Sequence, residues 1–244
     1  MFVNLKLGTI GVAATLATVG VAWAADVPYV PPPAAPPAFV PAAAFDWNGL
    51  YFGVHGGGGF GKEDCTSCSP GPPGANDFNI SGPYVGGQVG VNWVAGGGLF
   101  LGAEADISWS GIDGLCNGSG VGGAASCNGP PQLTVHDIDW YGTVRGRVGF
   151  ATGDWLAYVT GGWLYGQGTR NTSSGGGDTA VANHSGWTAG FGAERAIGAG
   201  WSAKGEYKYL AFGPRTYVFP NIGGPDPTVN LTAHTFELGL NRHF

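Results

Sequence analysis

Polar and apolar residues alternate along most of the chain after about residue 46. The clearest example covers residues 139–166, where two stretches rich in aromatic and β-branched residues flank a turn-forming tetrapeptide at 151–154. This arrangement is typical of a β-hairpin. In the first stretch, one face carries large apolar residues and the other carries Arg145 and Arg147. An apolar face turned outward and a cationic face turned inward favour a barrel in lipid. A soluble ligand-binding barrel with the faces exchanged gives similar strands and is kept as an alternative.

Similar strand patterns recur until the end of the chain, eight in all. The predicted strands cover residues 47–60, 83–94, 99–110, 139–150, 155–166, 184–195, 201–212 and 232–244. Connections after the first, third, fifth and seventh strands are long and polar, whereas those after the second, fourth and sixth are short. Such sorting of connections is typical of outer-membrane barrels. We therefore predict an all-β protein, an eight-stranded antiparallel up-and-down transmembrane β-barrel with long outer loops and short periplasmic turns.

Two segments precede these strands. Residues 1–24 combine Lys6, an apolar run and a small-residue cleavage pattern ending at Ala24, as in a cleavable secretory signal peptide. Residues 25–45 are rich in Pro and Ala and predict an extended periplasmic linker. The expected organisation is a signal peptide (1–24), a linker (25–45) and a barrel domain (46–244) in the outer membrane of a Gram-negative cell.

Composition agrees with an all-β class, since 48 of the 244 residues are Gly and only 11% are charged. The chain contains no internal stretch of about 20 apolar residues, so the sequence predicts no membrane-spanning helix after the N-terminal segment. The formal net charge of −6 argues against a nucleic-acid partner, because such binding needs clustered Lys and Arg.

Charged residues of the predicted strands point into the lumen if the apolar faces meet lipid. They are Glu104, Asp106, Arg145, Arg147, Glu194, Lys204, Glu206 and Glu237. The interior of an eight-stranded barrel is only just wide enough for side chains, and buried charges must pair. Barrel size therefore favours a structural salt-bridge network over a narrow conduit for ions or water. If the lumen opened, five acids against three bases would give a weak cation preference.

Four cysteines lie in two predicted outer loops, and export to an oxidising compartment permits disulfides. The candidates are Cys116 with Cys127 inside one loop, or pairing across the loops with Cys65 and Cys68. No βαβ context supports a redox role for Cys65 and Cys68. The second pair is spaced too widely for a zinc knuckle. The sequence predicts neither a metal site nor a cofactor.

No catalytic residues are predicted. A barrel enzyme acting on lipids would need a His near a Ser or a carboxylate at the outer rim. His136 beside Asp137 and His184 beside Ser185 are sequence neighbours, and neighbours in a strand point to opposite faces. We therefore expect no enzyme, and an enzyme acting on lipids is kept as a further alternative.

Four stretches resemble a known family: residues 47–53 (WNGLYFG), 139–147 (DWYGTVRGR), 158–162 (YVTGG) and 206–210 (EYKYL). The family comprises small alphaproteobacterial outer-membrane immunogenic, porin-like proteins with an outer-membrane β-barrel domain. The resemblance implies a surface-exposed barrel in contact with outer-membrane lipid and lipopolysaccharide. Its oligomeric state stays open.

The last strand departs from the family pattern at one position. The resemblance implies that the outer-membrane assembly machinery recognises this strand, through Phe236, Leu238, Leu240 and Phe244. Arg242 replaces the aromatic residue that the family usually has two positions before the terminal Phe. This implies either weaker recognition or an arginine that extends to the membrane interface.

Two functional hypotheses are favoured over the soluble-barrel and lipid-enzyme alternatives. The first is a structural and surface-exposed role in envelope integrity, as an antigen or in adhesion. The second is a narrow porin that passes small solutes or ions through the charged lumen. Conductance in bilayers distinguishes them.

Overall fold

The computed structural model describes residues 45–65, 78–117, 133–172, 177–219 and 226–244, all within the unit Ala43–Phe244. The signal peptide (1–24) predicted from the sequence and all of the predicted linker except Phe45 lie outside the described residues. Among the described residues, no helix is long and apolar enough to cross a membrane.

Eight antiparallel strands follow one another around a closed barrel, which confirms the predicted architecture. The strands are β1 (Gly49–Cys65), β2 (Phe78–Val94), β3 (Leu99–Asn117), β4 (Leu133–Thr152), β5 (Trp155–Thr172), β6 (Asp178–Gly198), β7 (Trp201–Thr216) and β8 (Thr228–His243). Strand β1 also pairs with β8, from Tyr51 opposite His243 to Cys65 opposite Val229. Closure matters because an open sheet edge in lipid would leave backbone amides unpaired.

The short connections lie at one end of the barrel, which we call the periplasmic end. A single turn of 3-10 helix, Gly96–Gly98, connects β2 to β3 there. The opposite, outer end carries the connections 66–77, 118–132, 173–177 and 217–227. Short periplasmic turns and longer outer connections are the arrangement expected of an outer-membrane barrel.

The strands extend further outward than the sequence predicted. The sequence predicts a loop over 167–183, yet β5 continues to Thr172 and β6 begins at Asp178. Likewise β7 continues to Thr216 and β8 begins at Thr228. The prediction was wrong here because it took polar residues as a sign of loops. The backbone hydrogen bonds between strands continue beyond the membrane, where outward-facing residues can be polar. At the other end, Trp47 lies before β1 rather than in it.

Large apolar side chains face outward along the middle of the strands and form what we call the apolar belt. Its exposed members include Leu50, Phe52, Val54, Val85, Val89, Val91, Ile107, Val144, Val148, Val159, Phe191, Leu238 and Leu240. Exposed Trp93, Trp155 and Trp201 lie toward the periplasmic end, and Trp109, Trp163 and Trp187 toward the outer end. Aromatic residues at both edges of an apolar band are typical of membrane interfaces.

A β-bulge interrupts the alternation in β4 at Asp139. Pairing with β3 shifts between Trp109 and Ile112, and pairing with β5 shifts between Ile138 and Trp140. One extra residue reverses which side chains face inward. His136 and Ile138 are therefore buried in the lumen, although strict alternation from Trp140 would turn them outward.

Candidate functional site

The lumen contains all eight charged side chains that the sequence analysis placed there, and each is buried. They are Glu104, Asp106, Arg145, Arg147, Glu194, Lys204, Glu206 and Glu237. Sequence reasoning left out a ninth member, Lys208, which is also fully buried. We call these nine residues the charge network. In the described part of the chain it holds five carboxylates and four cationic groups.

Arg145 lies at the centre of the charge network. Its guanidinium contacts Glu104, lies 3.1 Å from Asp106 Oδ2, and donates to Glu206 Oε1 at 2.5 Å. It also donates to Thr143 Oγ1 at 2.8 Å. Three carboxylates around one guanidinium use its fixed fork of donors, the geometry for which arginine is suited.

Arg147 occupies the periplasmic side of the same face. It donates to Glu194 Oε2 at 3.0 Å and to the Tyr51 hydroxyl at 2.5 Å. Its Cζ atom lies 3.8 Å from the ring centroid of Tyr158 and 5.3 Å from that of Phe100. The aromatic rings cover the guanidinium plane, and burial of Arg147 strengthens this cation–π contact.

Two lysines of β7 complete the pairing. Lys204 Nζ lies 3.0 Å from Glu237 Oε1 and 3.4 Å from Glu104 Oε1. Lys208 Nζ donates to Glu237 Oε2 at 2.7 Å. Each carboxylate of Glu104, Glu206 and Glu237 therefore contacts more than one cation. Such a network keeps desolvated charges compensated, which is the condition for burying them.

An apolar layer separates the charge network from the outer end. Its core members are Ile80, Tyr84, Ile112, Ile138, Tyr141, Leu164, Leu210, Phe212, Leu231 and Ala233. Four strands, β3, β4, β7 and β8, carry both residues of this layer and residues of the charge network. In each of them the layer residues lie closer to the outer end than the network residues do. An ion leaving the charge network outward would therefore have to cross a packed apolar layer.

A polar cluster lies on the outer side of this apolar layer, at the outer end of the lumen. The hydroxyl of Tyr217, just after β7, lies 2.8 Å from His136 Nε2 and 2.8 Å from His184 Nε2. Glu63 contacts His136 and accepts from Arg170 at 2.7 Å. Burial raises the pKa of the Tyr217 phenol, so the hydroxyl stays protonated and can donate to one imidazole while accepting from the other.

The segment before β1 covers the periplasmic end. Trp47 is buried, donates from Nε1 to the carbonyl of Gly153 at 3.1 Å, and meets the ring of His243 edge-on at 5.5 Å. Phe45 packs against both rings. Just before β1, hydrogen bonds from Asn48 lower the pKa of Asp46. We call Phe45 and Trp47 the aromatic plug. It packs with Phe100, Leu156 and Tyr158.

Buried histidines do not form the pairs that sequence neighbourhood would suggest. His136 and His184 face the lumen, whereas Asp137 on the same strand as His136 does not. Sequence reasoning missed a different group, in which Ser202 Oγ lies 2.9 Å from His243 Nε2 and both contact Glu194. These residues come from β6, β7 and β8, so alternation alone could only have shown that each faces inward.

The remaining predicted sites are placed as follows. Cys65, at the end of β1, is disulfide-bonded. Cys68 and Cys127 lie outside the described residues, as does the side chain of Cys116. The four residues of the predicted assembly signal, Phe236, Leu238, Leu240 and Phe244, are exposed on the outer wall. Within the described residues, no group of three or more His, Cys, Asp or Glu residues has the geometry to hold a metal ion.

Comparison with known proteins gives one family and several relatives. The model of the outer membrane protein beta-barrel domain family matches residues 34–244. A 31 kDa outer-membrane immunogenic protein of Brucella melitensis is 38% identical over 242 residues, covering 91% of this chain and 93% of the relative. A 22 kDa outer membrane protein of Rhizobium leguminosarum is 31% identical over 176 residues, covering 71% of this chain and 68% of the relative. Among solved structures, a major outer membrane protein from Thermus thermophilus has 16% identity and a TM-score of 0.48, covering 80% of this chain and 100% of that one.

Proposed function

Because the chain belongs to the outer-membrane protein β-barrel family and lies in the Gram-negative outer membrane, we propose that its barrel is a non-conducting anchor that displays the outer loops at the cell surface. The observation that carries this proposal is the paired and covered charge network. Its four cationic groups are all salt-bridged to carboxylates of the network.

Two barriers support a closed lumen. The apolar layer lies on the outer side of the charge network, and the aromatic plug covers its periplasmic side. Eight strands give an interior that side chains fill, and here they do so with arginine, tyrosine and leucine. An ion would have to break salt bridges and also enter a layer whose polar groups include only the hydroxyls of Tyr84 and Tyr141 among its core members, which is costly in both steps.

The burial of the Ser202–His243–Glu194 group supports a role other than catalysis. Ser202 has no exposed surface, and both rings of the aromatic plug meet the His243 ring edge-on. His243 Nε2 contacts both Ser202 and Glu194, whereas a serine nucleophile activated by a base needs the acid on the other ring nitrogen. A lipid substrate would have no path to this serine.

The proposed surface role depends on the connections at the outer end of the barrel. The connections 66–77 and 118–132 contain the predicted disulfide candidates Cys68 and Cys127. The relative from Brucella melitensis is named an immunogenic protein, which supports antigenic outer loops in this chain. An adhesive role of the same loops is part of the proposal. The exposed Trp109, Trp163 and Trp187 toward the outer end support contact with lipopolysaccharide at that membrane interface. Recognition of β8 by the assembly machinery remains a prediction.

Conductance measurements test the closed lumen. The mature chain is refolded, its folding is checked by heat-modifiable gel mobility, and single-channel current is recorded in planar bilayers beside a known porin. We expect no reproducible current steps. Steps that change when Arg145 or Glu104 is replaced by Ala would overturn the proposal and make the lumen a permeation path.

Antibody labelling tests the display of the loops independently. Antibodies raised against residues 118–132 should label intact cells, whereas antibodies against residues 26–44 should label only permeabilised cells. Failure of the first antibody on intact cells that carry folded protein would contradict surface display. The second antibody also tests the periplasmic position predicted for the linker.

A further inference from the structure

We propose that the outer wall of the barrel over β6, β7, β8 and β1 binds one glycerophospholipid of the periplasmic leaflet. Its acyl chain lies in a groove floored by Gly205, and its phosphate lies beside Arg195 and Arg242. The groove opens on the membrane-facing wall, where Phe191, Phe236 and Leu238 are exposed, whereas the side chains of Glu206 and Glu237, which also border it, are buried in the lumen.

The groove interrupts the apolar belt. It has a volume of about 630 Å³ and is lined by Phe191, Tyr207, Phe236 and Leu238, with Gly56 and Gly205 in its floor. Three of the lining rings pack side by side, with centroids 5.2 Å apart for Phe191 and Tyr207 and 5.1 Å apart for Tyr207 and Phe236. They form a continuous aromatic wall beside a floor in which Gly205 and Gly56 have no side chains.

The backbone register explains the floor. Gly205 pairs with Leu238 on one side and Ala193 on the other, and Leu238 pairs in turn with Gly56. A Cβ atom on Gly205 would meet only Leu238 Cδ2, at 3.7 Å, so the space above this glycine is open. Because this part of the wall faces the membrane, the material available to fill it is the hydrocarbon of a lipid.

Two arginines mark the headgroup end of the same sector. Arg195 follows Ala193 by two residues on the same face of β6, and Arg242 follows Leu238 by four on β8. At roughly 3.3 Å per residue, they lie about 7 Å and 13 Å further toward the periplasmic end. That separation matches the path of one lipid from its chain to its phosphate.

Both guanidiniums are held against interfacial aromatic rings. Arg195 Cζ lies 5.3 Å from the Trp155 ring, and Arg242 Cζ lies 5.9 Å from Trp201 and 5.5 Å from Phe244. Arg242 also donates from Nη1 to a backbone carbonyl of the β6–β7 turn. In the described part of the chain neither arginine has a salt-bridge partner. Two oriented cations without a carboxylate suit a phosphate, which arginine binds with paired donors.

Lipid retention measured by native mass spectrometry tests the site. The folded mature chain in detergent is titrated with phosphatidylglycerol and, separately, with diacylglycerol carrying the same two chains. We expect the protein to retain one phospholipid and to bind it more tightly than diacylglycerol. The comparison isolates the phosphate contact from the groove contact.

Three variants separate the two parts of the site. Gly205→Leu fills the groove and should weaken the binding of both lipids about tenfold, because about two methylene groups of the acyl chain no longer fit in it. Gly205→Val is a smaller filling in case leucine impairs folding. The double variant Arg195→Gln with Arg242→Gln should remove the preference for phosphatidylglycerol, a change of about tenfold.

Matched controls come from the same barrel. Gly146→Leu changes an exposed outward glycine on β4, where a Cβ atom would also find open space. Lys62→Gln removes an exposed positive charge near the outer end of β1. Neither should alter retention. Equal loss in the controls and the site variants, or no loss in any of them, would mean that lipid coats the barrel without a site and would overturn the proposal.

Discussion

Arg145 Nη1 lies 2.5 Å from Glu206 Oε1, and the two residues belong to strands that are not neighbours in the barrel. Strands β5 and β6 lie between them, so this salt bridge crosses the lumen and ties opposite walls together. Both side chains are buried and share their environment with Glu104, Asp106 and Lys208. A buried contact of this kind restricts the arrangement of the side chains in the barrel interior.

Replacing Arg145 with Leu should lower the free energy of unfolding by about 3–5 kcal/mol, because three buried carboxylates lose their shared cation. Urea unfolding in detergent micelles, followed by tryptophan fluorescence, measures the loss. The exposed Lys62→Gln variant should change stability by less than about 0.5 kcal/mol. A loss below about 1 kcal/mol for Arg145→Leu would show that the carboxylates do not depend on it.

Replacing Trp47 with Ala should destabilise the barrel by about 3–5 kcal/mol, the range for losing a large buried aromatic side chain. Trp47→Phe keeps most of the ring packing against Phe45 and His243 but loses the hydrogen bond to Gly153. It should therefore cost about 1 kcal/mol. Thermal unfolding of refolded protein compares the two variants. Equal effects would indicate that the hydrogen bond, rather than packing, holds the aromatic plug.

Replacing Tyr217 with Phe should destabilise the outer end by about 1–3 kcal/mol, because His136 and His184 both lose the hydroxyl that joins them. Protease cleavage of the outer connections should become faster as this end loosens. Tyr165→Phe is the matched control, since Tyr165 lies outside the lumen and its contacts are to the rings of Trp140 and Trp163. Unchanged cleavage of the Tyr217→Phe protein would contradict a role of the hydroxyl in holding this end.

Two adjacent glycines should differ sharply in their tolerance of alanine. A Cβ atom on Gly57 would lie 2.0 Å from the carbonyl oxygen of Phe236, so β1 and β8 would have to move apart. A Cβ atom on Gly56 would meet its nearest atom, Tyr84 O, at 3.5 Å.

We therefore expect Gly57→Ala to cost at least about 2 kcal/mol and to reduce the folded fraction, and Gly56→Ala to cost little. Heat-modifiable gel mobility after refolding measures that fraction. Similar folding of both variants would show that the closing pair of strands can adjust.

The number of strands and the facing of most side chains are properties of the sequence. Alternation with period two placed Glu104, Arg145 and Glu237 in the lumen and Phe236 on the outer wall, because neighbouring residues of a strand point to opposite faces. The same reasoning, applied to β7, could have added Lys208. The predicted strands end too early because they stop where the outward-facing residues become polar. Lipid requires apolar outward-facing residues only within the membrane, and the strands continue beyond it.

Only the closed barrel decided which inward residues meet. Arg145 reaches Glu206 because closure brings β4 opposite β7, and no local pattern specifies that contact. The bulge at Asp139 turned His136 inward, where it could join Glu63 and Tyr217. The sequence by itself therefore determined a membrane barrel with a charged interior. The pairing that closes this interior required the register and curvature of the whole sheet, because its partners are far apart in the chain.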